Sequence, residues 1–299
     1  MSTATVEAPR HGPRALVRPR TWDMVRGKLL GLWAGLALLY LFIPIFLVVL
    51  FSFNDNKGRF NLTWEGFTLD HWAHPFGVQG IASAVGNSLL IALISTAIAL
   101  VLGTFMALAL VRYGFRGRGA TDMFVFLPLA TPEVVLGAAL LALFLTLNVN
   151  TGFVTIVIAH VMFNISYVVV TVKARLEGMD QYIEEAAMDL GAGVWATFWR
   201  VTLPVIAPGV ASAALLAAAL SVDDYVITSF NAGQTLTFPL FIFGATRQGV
   251  PPEVNVLATG LLFVVLILLA LNVVVQRARG RREAAVAAVP AVVGAPANA

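Results

Sequence analysis

An all-α chain that crosses a lipid bilayer six times is the fold class this sequence predicts, and three observations carry it. Hydrophobic residues make up 59% of the 299 and charged residues only 12%, a composition too apolar for an ordinary water-soluble domain. Six apolar runs are each about 20 residues long, the length a helix rising about 1.5 Å per residue needs to cross a hydrocarbon core of about 30 Å. Sixteen of the 19 Lys and Arg residues fall in segments that six crossings place on one side, the bias expected of cytoplasmic loops.

The runs are residues 29–53, 87–111, 123–145, 153–171, 205–223 and 256–275. A basic leader, residues 1–28, precedes the first and holds Arg10, Arg14, Arg18, Arg20, Arg26 and Lys28. The run after it is too long for the core of a cleavable signal peptide, which makes it a retained span. With the N-terminus inside, Arg112, Arg116 and Arg118 follow span two, and Lys173, Arg175 and Arg200 lie between spans four and five. Arg277, Arg279, Arg281 and Arg282 follow span six, so only Lys57, Arg59 and Arg247 fall outside. Adding or deleting one span would invert every later loop and scatter this bias. Both termini are therefore expected in the cytoplasm, and residues 1–20 and the Ala, Val and Pro tail from 283 to 299 are expected to be unstructured. The chain has no cysteine, which excludes a disulfide framework and a thiolate metal site. No other metal site is expected.

Between spans one and two, Trp64, Phe67, Trp72 and Phe76 predict a helix lying at headgroup level. In a straight span three, Glu133 would sit about eleven residues from the inner end, near the bilayer midplane. A carboxylate there costs about 2.5 to 3.5 kcal/mol unless it faces water or a partner, which points to a cavity. Pro128 and Pro132 are expected to loosen the helix at that depth. Asp223 and Asp224 fall at the outer end of span five, after Ser221; they are either a solvated rim or the mouth of a path. Trp72 and Tyr225 could face an ammonium group by cation–π contact or belong to an aromatic belt. His160 and Asn164 read as hydrogen-bond partners between helices.

The loop from 173 to 204 is long for a simple connection. Asp180 can cap a short helix whose first turns carry Glu184 and Glu185, and Gly191 can stop it in a left-handed turn. Val194, Trp195, Phe198 and Trp199 then recur at helical spacing, and Pro204 is expected to break the chain before span five. The pattern is helix, glycine turn, helix. Physics alone allows an amphipathic hairpin on the inner leaflet as readily as a docking element.

Residue by residue, Glu185, Ala186, Ala187, Gly191, Val201, Leu203 and Pro204 resemble in register the EAA loop of ABC importer permeases, with Val201 where the family usually has Ile. The resemblance narrows to the polyamine (spermidine/putrescine) permeases, nearest the PotC-type subunit, through Asn87-Ser88-Leu89, Arg112-Tyr113-Gly114-Phe115-Arg116-Gly117, Pro132 to Gly137, Ser221 to Phe230 and Gly249 to Asn255. Ser166 departs from it, standing where the family commonly has Pro. The resemblance implies a type I ABC importer permease fold over residues 29–276, with 173–204 as the coupling loop and 277–299 as a cytoplasmic tail. It also implies ABC ATPase subunits, a second permease subunit and an extracytoplasmic solute-binding protein as partners in a bacterial inner membrane. Glu133, Asp223, Asp224, Ser221, Trp72 and Tyr225 become candidates for a polycation path.

No G-x-x-x-x-G-K-[ST] phosphate loop occurs in the sequence, so a partner is expected to bind ATP, with no cofactor in this chain. Nor does the order of residues suggest a nucleophile, base and orienting group, which argues against an enzyme. A permease for another solute (iron, thiamine, an anion) stays open, as does a secondary transporter or channel.

Overall fold

The computed structural model describes residues 21–58 and 60–287; the leader to residue 20, Arg59 and the tail from 288 lie outside the described residues. The chain divides into two units, residues 1–50 and 51–299. The first contains most of α1 (Thr21–Phe51), which begins ahead of the apolar run and continues through Pro44.

The second unit is helical, its only extended pairing among the described residues being an isolated bridge between Asn54 and Phe67. Its elements are α2 (Asp70–Ala73), α3 (Ile81–Arg112), α4 (Arg118–Ala130), α5 (Glu133–Thr146), α6 (Phe153–Glu177), α7 (Tyr182–Asp189) and α8 (Val194–Thr197). A π-helical turn (Phe198–Thr202) leads into α9 (Leu203–Asp223), followed by α10 (Val226–Asn231), α11 (Phe238–Gln248) and α12 (Pro252–Ala287). Among the described residues, five helical stretches are long and apolar enough to cross a membrane; a sixth crossing requires counting α4 and α5 together.

Small residues set the core. Along α3, Ala92, Ala99, Gly103 and Ala107 are buried, and along α9 Ala213, Ala217 and Ser221 are buried at intervals of four. Such stripes let helix backbones approach closely where lipid supplies no hydrophobic drive for association. α3, α6 and α9 pack together; α4 lies on α6, and α5 lies on α10. The approach is tightest at Gly103, where an added Cβ would meet Val168 Cγ1 at 2.7 Å and the Ile165 carbonyl oxygen at 3.3 Å. Val168 is fully buried and has nowhere to retreat. Gly103→Val is therefore expected to cost about 1 to 3 kcal/mol by overpacking. Gly86, on the same helix with open space around it, is the control: thermal unfolding in detergent should fall for Gly103→Val and not for Gly86→Val.

Four expectations from the sequence need correction. Span three is not one rod: α4 and α5 are bent by 109° at Thr131 and Pro132. Proline removes a helical N–H and drives the residue before it out of the α region, and Thr131 is accordingly extended at φ −87°, ψ 132°. Glu133 is therefore the first residue of α5, just past the bend, rather than a residue in the middle of one straight helix.

The aromatic segment before α3 is not a surface helix beyond the single turn of α2. Its backbone is organised by buried Asn54, whose amide donates to Asn61 Oδ1 (2.6 Å) and the Thr63 carbonyl (2.7 Å) and accepts from Glu65 N (2.8 Å). Phe53 stacks between Phe67 and Trp72. Pro204 does not break the chain either. It occupies the first turn of α9, where a missing N–H is tolerated, and the backbone stays helical from Thr197 through Leu203. Lastly, α12 runs on to Ala287, past the start of the expected tail. Span four, by contrast, is uninterrupted, with Ser166 buried inside α6.

Candidate functional site: the coupling loop and a buried polar turn

The loop folds as helix, glycine turn, helix. Asp180 Oδ1 accepts the Tyr182 amide at 3.0 Å, capping the entry to α7. At the exit Gly191 has φ +90°, its N–H reaches the Met188 carbonyl, and the Ala192 N–H reaches Ala187. These two bonds are a Schellman motif, which only glycine enters without a steric cost.

α7 presents two faces. Glu184 and Ala187, three residues apart, are half-buried, while Glu185 and Ala186 are exposed, with Tyr182 and Leu190 beside them. Glu185 has no side-chain partner among the described residues. Trp195 and Phe198 stack against Phe105 of α3, and Val201 and Leu203 pack on the cluster formed by Leu110, Leu176 and Ile206. Pro204 is exposed.

Two of the basic residues counted in the charge bias also tie the loop down. Lys173 Nζ donates to Asp122 Oδ1 at 2.7 Å, joining α6 to α4. Arg175 donates to the Val205 carbonyl from Nε (3.3 Å) and Nη2 (3.2 Å).

At the other end of α9 the two neighbouring aspartates diverge. Asp223 is exposed. Asp224 turns inward, its side chain 6% exposed, because its own backbone leaves the helix at φ −64°, ψ 117°. Its carboxylate accepts the amides of Ile227 (3.3 Å) and Thr228 (2.7 Å) and the Thr228 hydroxyl (2.7 Å), capping α10. His160 Nε2 lies 2.9 Å from Thr228 Oγ1 and 3.3 Å from Asp224 Oδ2, and His160 Nδ1 lies 2.6 Å from Ser221 Oγ. Ser95 Oγ of α3 adds a contact of 3.1 Å to Ser221. One direction of donation satisfies the whole chain: Ser95 to Ser221, Ser221 to His160, His160 to Thr228, Thr228 to Asp224.

A serine, a histidine and an aspartate thus meet, which their order in the sequence did not suggest. They form a packing network rather than a reaction centre, since Ser221 is 3% and His160 1% exposed and both faces of the Ser221 hydroxyl are occupied. His160 has the interhelical partners expected of it. Asn164 does not: it is fully buried and neither amide atom has a hydrogen-bond partner among the described residues.

The remaining candidates scatter. Glu133 is exposed in the first turn of α5, with Pro132 as its N-cap, where a carboxylate suits the helix dipole. Trp72 spends one ring face on Phe53. Tyr225 packs at 4.6 Å on Phe243, which already carries Arg247 at 5.0 Å. The structure brings Ser221 and Asp224 together and leaves Asp223, Glu133 and Trp72 outside that network. Sequence reasoning placed Glu184 in the first turns of the short helix but not its inward contacts, and it missed Thr228 and Ser95; the three-residue interval from Glu184 to Ala187 is the signal that could have found the inward face.

Residues 99–286 match the family described as binding-protein-dependent transport system inner membrane component. The chain is 38% identical over 239 residues, covering 80% of it and 92% of the relative, to the spermidine/putrescine transport system permease protein PotC of Haemophilus influenzae. It is 41% identical over 228 residues, 74% of it and 80% of the relative, to the putrescine transport system permease protein PotI of Escherichia coli K12. Among solved structures, a bacterial alginate ABC transporter in complex with a pentasaccharide-bound periplasmic protein aligns with TM-score 0.62 at 16% identity, over 84% of this chain and 94% of that one. At that identity the likeness speaks for the fold. The chain belongs to the family of binding-protein-dependent transport system inner membrane components, as a permease subunit that moves solute rather than transforming it.

Proposed function

We propose that this chain is one permease subunit of an ATP-driven importer of polyamines, set in a bacterial inner membrane with both termini cytoplasmic. One observation carries the reading: 38% identity over 80% of the chain to a spermidine/putrescine permease. Residues 29–276 are the permease domain and 173–204 its coupling loop, with the leader 1–28 and tail 277–299 flanking them. Exposed Glu185 and Ala186 offer a charge and a close approach to a cleft on a separate ATPase. Ala187 and Gly191 shape that helix, and Leu203 and Pro204 join it to α9. ATP is bound by the partner, and this chain uses no cofactor of its own. A second permease subunit and an extracytoplasmic solute-binding protein complete the assembly.

For the cargo, Asp223 and Glu133 are the exposed two of the three candidate acids, and ammonium groups suit them through charge-assisted hydrogen bonds. Asp224 and Ser221 act there by holding the turn, Trp72 and Tyr225 as aromatic walls. The reading is tested by reconstituting the complex with its ATPase and receptor and measuring ATP-dependent uptake of labelled spermidine and putrescine against thiamine, ferric iron and an anion. Polyamine uptake is expected, falling about tenfold in Asp223→Asn, the scale of one lost hydrogen bond to a charged group. Transport of another solute in place of polyamines overturns the cargo assignment, and unaltered uptake in Asp223→Asn returns that acid to a solvated rim.

A further inference from the structure

Glu184, one residue before the exposed Glu185, is enclosed where three parts of the chain meet. Its Oε2 lies 2.9 Å from Nε of Arg112, the last residue of α3, with the two side chains 14% and 12% exposed. Its Oε1 accepts the Thr202 hydroxyl at 2.6 Å, and Thr202, 3% exposed, is the last residue of the π-helical turn that runs into α9. The Arg112 contact is close yet poorly aligned: Nε and Nη2 are inaccessible and neither makes a hydrogen bond of good angle. The contact is therefore an ionic one, and the Glu184 carboxylate is the only counter-charge at the Arg112 guanidinium among the described residues.

Mechanics gives this arrangement a purpose. A hairpin attached only where its chain enters from α6 and leaves into α9 can swivel about the line joining those two points. A third fixing off that line removes the swivel. Arg112 supplies it, since α3 is neither the entry nor the exit helix, and Phe105, on α3 also, stacks on Trp195 and Phe198 of the hairpin's second half. Thr202, which meets the same carboxylate, closes a π turn, a feature common at functional positions.

We propose that Arg112, Glu184 and Thr202 form the rigid joint through which displacement of the coupling loop reaches α3 and α9 together, as positioning residues that do not touch the ATPase. This rests on the importer reading above. Glu185 would set whether the ATPase binds, and Glu184 how much transport each ATP yields.

The experiment uses the complete reconstituted complex and reads three quantities: ATPase retained on this chain in a pull-down, ATP hydrolysis, and solute imported per ATP. Glu184→Gln is expected to keep the ATPase bound and hydrolysing while import per ATP falls about tenfold, within the range that coupling residues span. The double variant Arg112→Glu with Glu184→Arg, which restores opposite charges, is expected to regain import per ATP relative to either single variant. If Glu184→Gln does not accumulate, Thr202→Val carries the test, because it keeps the ion pair and removes only the hydroxyl; a several-fold loss of import per ATP is expected there. Unchanged import per ATP in the variant that accumulates overturns the joint. Loss of ATPase binding in Glu184→Gln equal to that in Glu185→Arg also overturns it, by making Glu184 part of the docking surface. Failure of Glu185→Arg to affect ATPase binding instead counts against the importer reading, while import per ATP in the Glu184 and Thr202 variants still decides for or against the joint.

Discussion

Glu185→Arg is expected to abolish solute uptake while the chain still inserts and accumulates at its normal level. The first half follows from charge. Reversing one partner of a charge pair enclosed at an interface typically removes about 2 to 5 kcal/mol of binding free energy, enough to empty a joint that must reform in every cycle. The second half follows from position. Glu185 lies on the outer face of α7 and contributes nothing to the Schellman turn, which is made by backbone groups of Ala187, Met188, Gly191 and Ala192. Surface substitutions of that kind stay within about 0.5 kcal/mol in folding stability. Uptake, ATPase pull-down and membrane abundance, measured side by side, separate the two halves. Full uptake in the variant would remove Glu185 from the coupling.

The second large effect concerns folding. Asp224→Ala is expected to lower stability by about 3 to 5 kcal/mol, since it leaves several buried donors without an acceptor at about 1 to 3 kcal/mol each. It strips acceptors from the Ile227 and Thr228 amides and from the Thr228 hydroxyl, and leaves His160 Nε2 with Thr228 alone. Asp223→Ala, one residue earlier and exposed, should change stability by no more than about 0.5 kcal/mol. Thermal unfolding of the purified chain in detergent gives both values, and equal midpoints for the two variants would refute the division of labour between the acids.

Much of the fold could be read from length, because crossing a bilayer demands runs that few other structures need. What resisted reading was local and depended on backbone direction. Pro132 announces a weakness in span three, but whether the helix bends slightly or turns by 109° depends on what α5 finds to pack against, and that partner is α10, some ninety residues later in sequence. The density of Trp64, Phe67, Trp72 and Phe76 suggested a helix because aromatics favour interfaces. The deciding residue was Asn54, whose amide can replace several backbone partners at once.

At the site, the short helix α7 and its stop at Gly191 were legible, since a short helix and its stop are local matters. Glu184 was overshadowed by its neighbour, and its partners Arg112 and Thr202 lie on other elements. Asp223 and Asp224 are chemically identical and adjacent; the change of backbone angle at residue 224 sends one carboxylate inward and leaves the other exposed. His160 was expected to hydrogen-bond between helices and does, yet no spacing rule could name Ser221 and Thr228 as its partners.

The bend between α4 and α5 has a mechanical meaning. A straight helix carries a push from one end to the other; two short helices meeting at an angle do not. α4 is tied to α6 through Asp122 and Lys173, beside the coupling loop, whereas α5 rests on α10, next to Asp223. The corner at Thr131 and Pro132 acts like a slack link in a linkage: on the importer reading proposed above, a stroke delivered at the 173–204 loop would be absorbed by α4 and carried onward by the stiff members α3, α6 and α9.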